Sequence, residues 1–151
     1  MYHFLRTFLT LLVFFAAAWS VEKSYPAGFA VNVKDYGAYG DGTHDDTAAI
    51  RTALDDGRNG VNPQPDYYAP RPRTVYFPAG TYLISDTIAW TGIAMTLIGQ
   101  GPTATVFKLA DSSAGFGNPA TRKPMFTTQG GNYSFRINFW DLGLDTGSGN
   151  S

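Results

Sequence analysis

The chain has 151 residues, 44% hydrophobic, 15% charged and 15% aromatic, with a formal net charge of −1 and no cysteine. That length holds one domain or part of one, and the apolar content excludes a disordered chain. The charge argues against a nucleic-acid binder, the lack of Cys excludes disulfides, thiolate metal sites and a cysteine nucleophile, and two histidines leave little for a histidine-rich metal centre.

Residues 1–20 read as a secretory signal peptide. Arg6 supplies the positive start, Phe8 to Ala18 is apolar apart from Thr10, and Ala18, Trp19 and Ser20 form a small-residue cleavage pattern. The rival reading is an uncleaved membrane anchor, but the run falls short of the about 18–20 apolar residues a span needs. Cleavage would remove His3 and leave His44 as the sole histidine. The expected location is outside the cytoplasm, secreted or periplasmic, with no membrane association after cleavage.

Residues 21–30 read as a short leader before a domain over 31–151. Val31 and Val33 alternate with polar residues, a strand signal, and GAYGDGTHDD (37–46) reads as a turn region. Asp45 or Asp46 is placed to cap a helix over about 46–56, with Ala49, Ile50, Ala53 and Leu54 on one face and Gly57 as its stop. Residues 57–73 hold four prolines and two glycines and read as a long loop. From Thr74 the pattern changes to short strands: TVYF (74–77), TYLI (81–84), DTIAW (86–90), AMTLIG (94–99), TVFKL (105–109), MFT (125–127), FRINFW (135–140) and LGLD (142–145). One helix and many closely spaced strands suggest a sandwich, a barrel or a solenoid of short coils.

VNVKDYGAYGDGTHDDTAAIRTAL (31–54) followed by TVYFPAGTYLIS (74–85) resembles the N-terminal portion of the pectate-lyase-like, right-handed parallel β-helix superfamily. The nearest patterns are the rhamnogalacturonase/epimerase-type pectate lyase domain and the exo-β-1,3-glucanase type of glycoside hydrolase. LIGQGPTATVFKL (97–109) and FWDLGLDTGSGN (139–150) resemble the next coils. The resemblance implies an all-β fold, the start of a right-handed parallel β-helix, with the helix capping its open N-terminal end. It implies that Gly37, Gly40 and Gly42 shape the path into the cap and that Pro78, Ala79 and Gly80 turn between two sides of a coil. It also implies that Val75, Phe77, Leu83, Ile88, Leu97, Ile98, Val106 and Leu109 stack in the core. Many members act on polysaccharides as hydrolases, lyases or epimerases, so the resemblance implies catalytic carboxylates on later coils. The chain is therefore expected to be the N-terminal part of a secreted polysaccharide-degrading enzyme, truncated and catalytically incomplete as it stands. The alternative is a non-enzymatic carbohydrate-binding or adhesion module, as in tailspike-like β-helices. The expected partner is a polysaccharide. No cofactor is evident, and Ca²⁺ would enter only for a lyase.

Among candidate sites, Asp41, Asp45 and Asp46 could suggest paired catalytic carboxylates or a calcium site. Their position before a helix instead assigns them to turn formation and capping, and no metal site is expected. His44 reads as an exposed loop residue. Tyr67 and Tyr68, with Arg71 and Arg73 nearby, are the candidate substrate contacts: aromatic faces stack on sugar rings and arginine grips uronate carboxylates. Trp90 and Trp140 read as packing residues, and Asp141 and Asp145 as turn residues flanking a strand. Asn132, Tyr133 and Ser134 form a glycosylation sequon if the source is a eukaryote.

Overall fold

The computed structural model describes residues 30–58, 73–91, 95–129 and 137–150. Among them are ten strands and one α-helix: β1 (Val31–Asn32), β2 (Asp41–Asp45), α1 (Thr47–Arg58), β3 (Arg73–Tyr76), β4 (Gly80–Ile84), β5 (Ile88–Thr91), β6 (Met95–Ile98), β7 (Thr105–Leu109), β8 (Phe126–Gln129), β9 (Ile137–Trp140) and β10 (Gly143–Asp145). The described residues are thus mostly β, with parallel sheets and one α-helix.

Every strand pairing among the described residues is parallel. The first sheet has the order β1-β3-β6-β9, the second β2-β4-β7-β10, and the third pairs β5 with β8. Chain order visits them in rotation: β3, β4 and β5 fall in the first, second and third sheets, then β6, β7 and β8 repeat the cycle, and β9 and β10 begin another. β1 and β2 open the same rotation. Where a strand of the third sheet would follow, α1 stands instead, packed on β5, β3, β1 and the 3-10 helix Val33–Tyr36.

Three local expectations are corrected. Val33 does not extend the first strand but enters the 3-10 helix, whose backbone turns at Gly37. Asp41–Asp45 is a strand rather than a turn, although four of its five residues are exposed. Backbone bonds just outside it, from Thr81 N–H to Gly40 O (2.8 Å) and Asp46 N–H to Leu83 O (2.8 Å), tie the segment to β4. Third, α1 runs through Gly57 to Arg58.

The core lies between the sheets. In-register rows bring Val75 beside Leu97, Tyr82 beside Phe107 and Ile84 beside Leu109, all at most 2% exposed. Burying such a side chain is worth about 1.5–3 kcal/mol relative to leaving it in water. Aromatic rings run through the core in edge contacts: Phe77 to Phe107 at 4.8 Å, Phe107 to Phe126 at 5.1 Å and Phe126 to Phe139 at 5.2 Å. Ile50, Ala53 and Leu54 of α1 are fully buried in the same cluster. The expected core set was right for Val75, Phe77, Ile88, Leu97 and Leu109 but wrong for Leu83, Ile98 and Val106, which are half-buried on the outer face. Alternation along a strand explains this: with Tyr82 and Ile84 inside, Leu83 must point out. Buried polar groups are bonded where they face backbone. Tyr82 Oη donates to Pro78 O (2.8 Å), and Thr105 Oγ1 accepts from Gln100 N–H (3.0 Å).

Candidate functional site

The predicted substrate contacts Tyr67, Tyr68 and Arg71, and the sequon at Asn132, lie outside the described residues, as does the predicted signal peptide. Arg73 opens β3.

The aspartate cluster sits where β2 passes into α1. The register of β2 against β4 slips between Asp41, opposite Thr81, and Asp45, opposite Leu83, so β2 bulges. A bulge takes backbone N–H groups off the ladder. Asp41 Oδ1 accepts those of Thr43 (2.8 Å) and His44 (2.9 Å), while its Oδ2 meets His44 Nδ1 at 2.5 Å. The backbone N–H of His44, then that of Thr43, then the His44 ring hold the Asp41 carboxyl well below the usual carboxylate range. Tyr39 stacks on the exposed His44 ring at 4.1 Å.

Asp45 Oδ1 accepts the Thr47 N–H (3.0 Å) at the start of α1, and its Oδ2 accepts from Ser85 Oγ (2.5 Å). Partial burial raises its pKa, but the hydrogen bonds from Ser85 and Thr47 outweigh that and leave it lowered. Asp46 is fully buried. Its backbone carbonyl accepts the first helical bond, from Ile50 N–H (2.9 Å), while its side chain turns back to the N–H groups of Tyr39 (2.6 Å) and Gly40 (2.9 Å). Gly40 has φ +64°, and a Cβ there would lie 3.0 Å from the Tyr82 ring. All three carboxylates are therefore occupied in fastening the chain to itself. Among the described residues no three His, Cys, Asp or Glu side chains gather as a metal site would need.

Asp141 and Asp145 are separated by a bend. Asp141 takes a left-handed conformation (φ 55°) just after β9, and its carbonyl accepts the Gly101 N–H at 2.9 Å. Asp145 closes β10, lies opposite Lys108 of β7, and accepts the Gly147 N–H at 2.9 Å.

The two tryptophans part company. Trp90 is 3% exposed, a packing residue, whereas Trp140 is 59% exposed and does not pack as expected. Trp140 lies opposite Ile98, which lies opposite Tyr76; Asn138 lies opposite Thr96, which lies opposite Thr74. These six form two outward rows on the first sheet, because Val75, Leu97 and Phe139 take the inward positions between them. Asn138 Nδ2 donates to Thr96 Oγ1 (3.3 Å), and Gln100 Nε2 donates to Tyr76 Oη (2.5 Å). The backbone around Trp140 is pinned: its carbonyl accepts the Gly99 N–H at 2.9 Å, and a Cβ on Gly99 would strike Asp141 O and Leu142. The signal for this face was present in INFW, where alternation sets Asn138 and Trp140 opposite Ile137 and Phe139. Neither row carries a charged side chain. The outer face of the second sheet carries Lys108 and Asp145.

The family model described as Rhamnogalacturonase A/epimerase, pectate lyase-like matches residues 30–145. The chain belongs to that family. Relatives of this pectate-lyase-like chain include a probable glucan endo-1,3-beta-glucosidase of Arthroderma benhamiae, 41% identical over 91 residues, which cover 59% of this chain and 10% of that one. Among solved structures, the mannuronan C-5 epimerase A-module of Azotobacter vinelandii is 32% identical, with a TM-score of 0.56 over 76% of this chain and 28% of that one. The ORF18 protein of Geobacillus virus E2 is 26% identical, with a TM-score of 0.58 over 78% of this chain and 21% of its own. The chain spans between 4% and 10% of the length of the curated relatives it matches. Among the described residues no helix is long and apolar enough to cross a membrane.

Proposed function

We propose that the described residues are coils of a right-handed parallel β-helix, closed at one end by α1, in a secreted protein that works on polysaccharide. The rotation of the chain through three parallel sheets supports the solenoid, and parallel crossovers are right-handed in about 98% of cases. α1 supports the cap, since it takes the place of a third-sheet strand in the first rotation and buries Ile50, Ala53 and Leu54. The single observation that carries the polysaccharide reading is the family match over residues 30–145, which the likeness to relatives named for glucan and mannuronan supports. In this reading the described residues supply binding rather than bond cleavage, because Asp41, Asp45 and Asp46 are already held by backbone donors.

The test is retention of the purified protein on insoluble β-1,3-glucan, pectin and alginate beads, with reducing ends and unsaturated sugar ends measured in the same tubes. Retention on at least one polymer without new ends is the expected result. No retention on any of the three overturns the reading, and release of new ends overturns the assignment of binding without cleavage. The mass of the exported protein checks the predicted cleavage after Ser20.

A further inference from the structure

We draw no further inference here: the strongest candidate, the exposed Asp41–His44 pair stacked against Tyr39 on the bulge of β2, belongs to the aspartate cluster already described, where the carboxylate is taken up by the Thr43 and His44 N–H groups and, among the described residues, no third His, Cys, Asp or Glu side chain gathers with the pair to hold a ligand.

Discussion

Two regions of the described sheets treat the same kind of residue in opposite ways. Beside α1, Val33, Ile50 and Leu54 are fully buried. At the β9–β10 end, Phe139 and Leu144 are 43% and 59% exposed. Yet Phe139 lies in register with Leu97, and Leu144 with Phe107, both fully buried. The residue types and their inward direction match; only the neighbour on the far side differs. Among the described residues, burial on these rows follows whether a position has an in-register neighbour on both sides.

The sharpest way to break that comparison is to truncate one register pair. Phe107→Ala should destabilise by roughly 3–5 kcal/mol, through lost burial and the cavity it leaves. Leu144→Ala, one strand further along the same row, should stay within about 1 kcal/mol, because it already faces water. Urea unfolding of both variants checks this, and equal losses would refute that dependence on neighbours. Next in size is the strap at the α1 end. Asp46→Ala strands the N–H groups of Tyr39 and Gly40 and should lose about 2–3 kcal/mol, read from the same unfolding curves. Gly40→Ala should lose about 1–2 kcal/mol from the left-handed backbone alone, and the Tyr82 ring must move as well.

The smallest effect is electrostatic. Asp86 bridges Lys123 (3.0 Å) and Arg51 of α1 (3.0 Å). The hydrogen bond from Lys123, then the Thr87 N–H and Arg51, pull its carboxyl from 3.8 down to about 2. A folded pKa below the unfolded one stabilises above the unfolded value and loses that contribution as pH falls toward the folded one. Stability measured between 3.8 and about 2 should therefore fall less steeply in Asp86→Asn than in the parent chain.

The strands from Val75 onward were legible because β-branched and aromatic residues alternate there between Gly and Pro breaks. β2 was not, since DGTHD has no apolar alternation; it is a strand through its ties to β4 and through Asp41, which takes up the donors freed by the bulge. The helix was legible from its apolar face, but Gly57 did not stop it. Leu83, Ile98 and Val106 were misplaced because hydrophobicity was counted without strand parity. The same parity would have put Trp140 outside. The exposed tryptophan was thus within reach of the sequence, whereas the double role of Asp46, backbone cap on one side and buried strap on the other, needed three dimensions.

The position of α1 also bears on how the three sheets begin. β1 and β2 run parallel to β3 and β4, whereas α1 stands where a strand of the third sheet would pair with β5. A helix cannot continue a parallel ladder, because its N–H and C=O groups bond to one another. Among the described residues the third sheet therefore starts at β5, and α1 meets that strand by packing rather than by a backbone ladder.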